Sequence, residues 1–208
     1  ETTEYDWFLV EPITWTVLDE CDGKILLISE NVLDAKQYNE KNENITWGVS
    51  TIRNWLNGLG DYKTETSFYN SAFSAEEQKI ILTQDVTNDA NPQYDTAGGE
   101  NTKDRVTFFS IADLENADTW SEDIFAEVEN RACPGTDYAH FNGSGEYKTY
   151  ILESSSWWWL RGAGVTENFA VNVDEFGKTV TAGYNASYNG IGVRPVIVLN
   201  AEYVNEVS

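Results

Sequence analysis

The stretch that decides the fold lies near the C-terminus, where residues 157–181 read WWWLRGAGVTENFAVNVDEFGKTVT. Within it, Phe169–Val173 and residues 178–181 are rich in β-branched and aromatic side chains, and the turn sequence Asp174-Glu175-Phe176-Gly177 separates them. This pattern predicts two antiparallel strands. A further apolar run at residues 193–199 predicts a final strand that is covered on both faces. From Tyr150 onward the chain therefore reads as all-β.

A second β-hairpin is predicted near the N-terminus. Residues 13–18 alternate between apolar and polar side chains, residues 24–29 form another apolar run, and Asp22-Gly23 lies between them. An Asp-Gly pair between two such runs is typical of a tight hairpin turn. We expect this hairpin and the C-terminal strands to join one antiparallel sheet.

The middle of the chain predicts two or three helices. One follows Ser50 and ends at Asn57-Gly58, with Ile52, Trp55 and Leu56 on one face. Capping-box patterns at residues 74–77 and 110–113 predict two more. With strands at both ends and no repeat or linker, the sequence predicts one α+β domain spanning residues 1–208.

Composition limits the kinds of partner. The chain carries 8 Trp, 11 Tyr and 9 Phe, more rings than a single core readily buries, so some are expected at the surface. The net charge of −22 opposes binding to nucleic acid or to anionic membranes, so neither is expected as a partner. A neutral polymer suits such a protein, although acidity that only maintains solubility is an equally good explanation.

The sequence gives little support for metal or redox chemistry. Cys21, Cys133 and the single histidine, His140, match no zinc or redox motif. The two cysteines could form a disulfide or remain two buried thiols. No window approaches the ~20 apolar residues of a membrane span. The chain begins at Glu1 without an initiator Met, so we expect it to be a piece of a larger protein, and the missing secretory signal says little about export.

Two further features have competing explanations. Residues 84–103 are polar and predict a long surface loop, whose many oxygens suit either solvent or, less well, calcium. Those oxygens belong to Asp85, Asn88, Asp89, Asn91 and Asp95. No other cofactor is expected. Arg161 and Arg194 each lie within an apolar run, which predicts a buried structural pair with a carboxylate.

The candidate ligand-binding residues are aromatic and amide side chains. In a strand, Trp158 would face one side while Trp157 and Trp159 share the other; we expect Trp158 and Trp159 in the core. Trp157 is either a third core ring or a platform on which a ligand stacks. The segment Tyr184-Asn185-Ala186-Ser187-Tyr188-Asn189 suits either ligand binding or a turn. Asp137-Tyr138 and Asp61-Tyr62 are weaker candidates of the same type.

Seven segments, in order along nearly the whole chain, resemble a domain common in extracellular proteins of gut Firmicutes. They are Glu11-Pro12-Ile13-Thr14-Trp15, Asn31-Val32-Leu33-Asp34, Ile45-Thr46-Trp47, Arg53-Asn54-Trp55-Leu56-Asn57-Gly58, Phe68-Tyr69-Asn70, Trp158-Trp159-Leu160-Arg161 and Gly192-Val193-Arg194-Pro195. The tail is also similar to C-type-lectin-like domains. This implies a C-type-lectin-like fold with a short antiparallel sheet and long loops.

The resemblance also implies where a ligand would bind. The lectin-like group includes receptor proteins that are diversified by retroelements. In those receptors, ligand contacts come from the region after the Trp motif and from the hairpin before the last strand. Those regions correspond here to residues 162–168, to Asn172, Asp174 and Phe176, and to residues 184–189. The chain departs from the pattern at residues 59–66, which look inserted, at Gly162-Ala163-Gly164 and at the additional Trp157.

These observations lead to a functional expectation. We expect a non-catalytic, extracellular carbohydrate-binding module that stacks aromatic rings on a neutral polysaccharide and binds its hydroxyls with Asn and Asp. Starch-type α-glucan is favoured because similar proteins occur in starch-adherence assemblies. No nucleophile elbow, phosphate loop or zinc-protease motif is present, so no enzyme is expected. The alternative is a module that recognises a protein or glycoprotein through the same loops.

Overall fold

The computed structural model describes residues 6–63, 66–115, 125 and 127–206, which form an α+β fold of several small, mostly antiparallel sheets. The strands are β1 (Trp15–Cys21), β2 (Lys24–Ser29), β3 (Asp34–Ala35), β4 (Gln84–Val86), β5 (Thr102–Asp104), β6 (Val106–Thr107), β7 (Trp158–Ala163), β8 (Phe169–Val173), β9 (Thr179–Asn185), β10 (Gly192–Val193) and β11 (Val196–Asn200). The helices are α1 (Thr51–Asn57), α2 (Phe68–Ala72), α3 (Glu77–Ile80), α4 (Ile111–Glu115) and α5 (Asp137–Phe141).

The first sheet has the strand order β1-β2-β11-β6 and confirms the predicted N-terminal hairpin. Asp22 and Gly23 both adopt positive φ, 50° and 72°, as the two-residue turn of a tight hairpin requires. β11 lies between β2 and β6, antiparallel to both, so the C-terminal strand is a central strand of the N-terminal sheet. The predicted union of the hairpin with the C-terminal strands is therefore confirmed for β11 alone, since β7, β8, β9 and β10 belong to a second sheet.

The second sheet has the order β3-β10-β7-β8-β9 and contains the predicted hairpin of β8 and β9. The run at residues 193–199, however, was wrongly predicted as one strand. It divides into β10, which belongs to this sheet, and β11, which belongs to the first, with Arg194-Pro195 between them. Proline has no N–H for a ladder and restricts the residue before it, which explains the break.

The alternation across β7 divides the core into two clusters. Trp158 packs with Leu160, Val171 and Val173 in one cluster. Trp159 packs in the other cluster, and the partly buried Trp157 packs against that cluster. Both Trp158 and Trp159 are fully buried, as predicted. The strand therefore presents one face to each cluster, with Trp157 at the border of the core and the surface.

The predicted helix starts are confirmed by their hydrogen bonds. Ser50 Oγ accepts from Arg53 N, and the pairs Ser74–Glu77 and Ser110–Asp113 form reciprocal capping boxes. The number of helices was underestimated, since α2 and α5 were not predicted and five short helices are present in the described residues. Among these residues no helix has the length and apolarity needed to cross a bilayer.

Residues 84–103 are not simply the surface loop that was predicted. Their ends pair as β4 and β5, and Asn91 is buried against the second sheet. The Asn91 amide donates to the carbonyls of Ala163 and Thr181, both at 2.8 Å. Asp85 forms an ion pair with Lys103 instead of turning toward the other loop oxygens. The segment therefore uses polar side chains to attach itself to the fold.

The two arginines within apolar runs differ. Arg161 is buried and forms the predicted ion pair, with Asp113 at 2.5 Å. For Arg194 the described residues show no carboxylate partner; among them its guanidinium donates to the carbonyls of Ser29 and Arg131 and lies over the rings of Phe125 and Trp158. The predicted carboxylate partner of Arg194 therefore stays a prediction.

Cys21 and Cys133 are both free thiols, so they do not form a disulfide. Cys133 is buried, but Cys21, at the end of β1, is exposed, which corrects the prediction of two buried thiols. Burial raises the pKa of the Cys133 thiol, whereas the neighbouring Asp22 carboxylate raises that of Cys21. Both thiols therefore stay protonated at neutral pH.

Candidate functional site

Four aromatic side chains meet at the edge of the second sheet. We call Tyr147, Trp157, Tyr184 and Tyr188 the aromatic patch. Tyr147 stacks on Trp157 with a centroid distance of 5.8 Å, and Tyr184 meets the same indole edge-on at 5.9 Å. Tyr188 lies 4.8 Å from Tyr184. The three tyrosines are 36%, 40% and 42% exposed, so an apolar surface of contiguous rings faces solvent.

The backbone fixes where these rings lie. Trp157 directly precedes β7, and Tyr184 in β9 pairs with Ala170 of the intervening β8. The segment that carries Tyr188 closes on itself, since Tyr188 N donates to the Asn185 carbonyl and Ser187 N donates to Asn185 Oδ1, both at 2.9 Å. The predicted residues Trp157, Tyr184 and Tyr188 are thus brought together by a sheet edge and a tight turn.

Trp157 contacts the tyrosines of the patch but exposes little of its own ring to solvent. It is half-buried, Tyr147 covers one of its faces, and its indole N–H donates to Glu175 Oε2 at 2.5 Å. The sequence left Trp157 as either a third core ring or a platform, while the exposed ring area belongs to the three tyrosines around it. Sequence reasoning missed Tyr147, whose only signal was its aromatic side chain.

The polar surroundings of the patch are acidic. Burial is the main cause that raises the pKa of Tyr147, and the nearby Tyr188, Glu175 and Tyr184 raise it further. The phenol therefore stays neutral well above neutral pH. The patch offers uncharged ring faces and hydroxyls beside the Glu175 carboxylate.

A second ring pair begins one residue beyond Glu175. Phe176 stacks on the exposed Tyr150 with a centroid distance of 5.8 Å, and the Lys178 ammonium lies over the Phe176 ring. Asp174, another predicted ligand residue, uses its carboxylate within the turn: Oδ1 accepts from the backbone N–H of Phe176 and of Lys178, each at 2.9 Å. Phe176 is therefore close to the patch, and Asp174 shapes the hairpin that carries it.

Asn172 lies inside the protein and not on the predicted binding surface. It is fully buried in β8, where its Nδ2 makes a long contact of 3.4 Å with the Val173 carbonyl. Its Oδ1 has no hydrogen-bond partner in the described part of the chain. A ligand on the surface of this structure does not reach Asn172.

A cleft borders the segment 184–189 at Asn189. We call it the polar cleft, and its volume is about 310 Å³. Its principal lining residues are Lys36, Glu40, Trp55, Tyr62, Tyr138, Asn142 and Asn189. The predicted residues Tyr138 and Asn189 thus share a cleft, with Tyr62 of the insertion opposite. Trp55, Lys36 and Glu40 were not predicted, because they come from a helix and a loop that the sequence presents as structural.

Charges in the polar cleft are nearly balanced. Lys36 lies 3.3 Å from Asp34 and 4.6 Å from the centre of the Trp55 ring. Tyr62 donates to Glu40 at 2.5 Å, and this hydrogen bond is the main cause that raises the pKa of Tyr62 to about 12. Asn142 donates to Asp34 at 2.7 Å. The cleft therefore presents neutral donors and acceptors beside Lys36, which pairs with Asp34, and Glu40, which accepts from Tyr62.

Asp137 faces a different cavity. As the first residue of α5, it is exposed and lines a larger space of about 670 Å³, bounded on one side by residues 7–14. Phe8 of that segment packs against Tyr138 and Phe141 at 5.3 and 5.2 Å. Lys36, Trp55 and Tyr138 line both spaces, so the polar cleft and the larger cavity are neighbours.

No group of three or more His, Cys, Asp or Glu side chains with a metal-binding arrangement occurs within the described ranges. In the loop considered for calcium, the Asn91 side-chain oxygen accepts from the backbone N–H of Gln93 and Tyr94, and Asn88 donates to the Glu100 carbonyl. Those amide groups stabilise the loop itself.

Gly183 is expected to control the position of Tyr184. It has a φ of 70° at the bulge of β9, and an added Cβ would lie 2.3 Å from the Ala170 carbonyl oxygen. We predict that Gly183→Ala lowers the free energy of unfolding by about 2 kcal/mol. The alanine would have to adopt a positive φ, and the Ala170 backbone would have to move away from the new Cβ. In Gly162→Ala the nearest atom lies at 3.7 Å, and we expect a change within about 0.5 kcal/mol. Urea unfolding of both variants checks this; equal losses would contradict it.

Comparison with known proteins adds a family without an assigned activity. Residues 22–201 match the family described as Domain of unknown function (DUF6273). The matched range begins after β1 and includes the hairpin of β8 and β9, the aromatic patch and the polar cleft. No curated protein and no solved structure matches.

Proposed function

The chain belongs to the DUF6273 family, and from its aromatic patch we propose that it is a non-catalytic carbohydrate-binding module. The observation that carries the proposal is the set of three half-exposed tyrosines arranged around Trp157. Sugar rings have apolar C–H faces that stack on aromatic side chains, and each such contact contributes on the order of 1 kcal/mol. Contiguous rings can contact neighbouring sugars of one chain.

The charges favour a neutral ligand. The protein has a net charge of −22, and Glu175 lies at the patch. An acidic polysaccharide would be repelled by this field, whereas a neutral one is unaffected. Among neutral polymers we favour starch-type α-glucan, on the basis of the resemblance described above. A role in polysaccharide adherence, within a larger secreted or cell-surface protein, accords with that resemblance.

The proposal assigns binding and not catalysis. Hydrolysis of a glycosidic bond would require two carboxyl groups on opposite sides of the sugar. At the patch, Glu175 accepts the Trp157 indole N–H, and Asp174 accepts two backbone N–H groups of its turn. The carboxylates that are nearest to the rings therefore have structural roles.

A protein or glycoprotein ligand is the second candidate, and a specific observation favours it. Trp7, Leu9, Val10 and Phe141 are large apolar side chains that are exposed at residues 7–14 and at α5. Exposed apolar clusters of this kind are common at protein interaction sites. This surface lies beside the larger cavity and not at the aromatic patch, so the two candidates involve different residues.

Affinity electrophoresis tests the proposal. The protein is run through native gels that contain starch, xylan, β-glucan or mucin, with bovine serum albumin as a reference for migration. We expect retardation in a neutral polysaccharide gel, with starch the strongest. Migration equal to that in the empty gel for all four polymers would contradict carbohydrate binding and leave the protein-recognition alternative.

A further inference from the structure

We infer that the polar cleft is a second subsite of the same binding site, so that the ligand is an oligosaccharide long enough to extend from the aromatic patch into the cleft. This inference rests on the proposed carbohydrate-binding function and adds the size of the ligand to it. It assigns ligand contacts to Trp55 and Lys36, which neither the sequence nor the family description indicated, and to Tyr62, which the sequence offered only as a weaker candidate.

The two subsites share one short segment of chain. Tyr188 belongs to the aromatic patch and Asn189, the next residue, lines the polar cleft. Because consecutive Cα atoms are only about 3.8 Å apart, the patch and the polar cleft both border this segment. Gln37, which also lines the cleft, donates to the Ser187 carbonyl at 2.6 Å. This bond holds the shared segment against the cleft wall.

The chemistry of the cleft suits a sugar. Trp55, Tyr62 and Tyr138 supply aromatic surface, while Asn142, Asn189 and Glu40 supply amide and carboxylate groups. Amides donate and accept hydrogen bonds, and a carboxylate accepts them, so together they match hydroxyls. Lys36 is paired with Asp34, and the Glu40 carboxylate accepts the Tyr62 hydroxyl proton in a hydrogen bond, so both charged side chains of the cleft already have partners.

The size of the cleft indicates a shared site. Its volume of about 310 Å³ lies at the lower end of the range for small-molecule sites. It accommodates part of an oligosaccharide, and the remainder lies on the patch. Two linked subsites raise the affinity for a ligand that fills both, because the second contact is intramolecular.

Titration calorimetry with a series of oligosaccharides, from the disaccharide upward, tests the inference. The series is prepared from the polysaccharide that gives the strongest retardation. We expect the wild-type affinity to rise at least about tenfold from the shortest to the longest ligand. In Tyr138→Ala/Asn189→Ala we expect the affinity for the longest ligand to fall about five- to tenfold, while that for the shortest is unchanged.

Tyr203→Ala is the matched control, because Tyr203 and Tyr138 are similarly exposed, at 45% and 46%. If the cleft variant binds the longest ligand as tightly as the wild type, while Tyr188→Ala loses affinity, the ligand is confined to the patch and the inference is wrong, although the proposed function stands. If the wild type binds no oligosaccharide or polysaccharide, the proposed function and the inference are both wrong. A loss at every ligand length in the cleft variant would also overturn the two-subsite arrangement.

Discussion

Replacing Tyr184 and Tyr188 together with Ala is expected to weaken polysaccharide binding by about 10- to 100-fold. Each ring contributes on the order of 1 kcal/mol or more by stacking, and about 1.4 kcal/mol corresponds to a tenfold change in Kd. Both rings are less than half exposed, because they contact each other and Trp157, so they are ordered before a ligand arrives. A ligand therefore meets a surface that needs little rearrangement.

The matched control is Tyr94→Ala/Tyr203→Ala, which removes two tyrosines of similar exposure outside the patch, 38% and 45%. Affinity electrophoresis and titration calorimetry are carried out on both double variants after thermal unfolding has shown that each is folded. We expect the control to bind like the wild type. Equal losses in the two double variants would mean that the patch has no special part in binding.

Replacing Arg161 with Leu is expected to lower the free energy of unfolding by about 2–5 kcal/mol. The Arg161 guanidinium donates to the carbonyls of Phe108 at 2.6 Å and Thr87 at 3.1 Å, and it pairs with Asp113. Each buried carbonyl left without a donor costs about 1–3 kcal/mol. Leaving Asp113 without its partner adds less to the loss of stability, because its side chain is 36% exposed and water can solvate it.

Two other variants separate the contributions. Asp113→Asn keeps the carbonyl contacts of Arg161, so we expect a smaller loss, of about 1 kcal/mol. Lys79→Ala breaks an exposed ion pair with Glu76, and we expect a change within about 0.5 kcal/mol. Urea unfolding measures all three. A loss in Arg161→Leu no larger than that in Lys79→Ala would show that the buried arginine is not structurally important.

Local signals in the sequence predicted local structure well. The Asp22-Gly23 turn, the end of α1 at Asn57-Gly58 and the capping boxes all depend on residues within a few positions of each other, and each is confirmed. The break at Arg194-Pro195 is different. The apolar pattern on both sides is continuous, and only the pairing with two separate sheets shows where one strand ends.

The candidate site was predicted in part, for a similar reason. Tyr184 and Tyr188 stand in one short segment, so the sequence alone placed them together. Tyr147 joins them only because its loop folds back, with Tyr147 paired to Ser155. Asn172 was predicted at the surface but is buried, because strand periodicity gives the face of a residue and not what covers that face. The C-type-lectin-like relationship stays a prediction.

The division at Arg194-Pro195 has a consequence for the order in which the protein forms. β10 inserts between β3 and β7, and β11 inserts between β2 and β6, so one stretch of nine residues completes both sheets. During synthesis, β2, β3, β6 and β7 precede the strands that join them, and their edges stay unpaired until residues 192–200 leave the ribosome. Unpaired edges of this kind bind other chains readily. The nascent protein is therefore most exposed to aggregation immediately before its last strands are made.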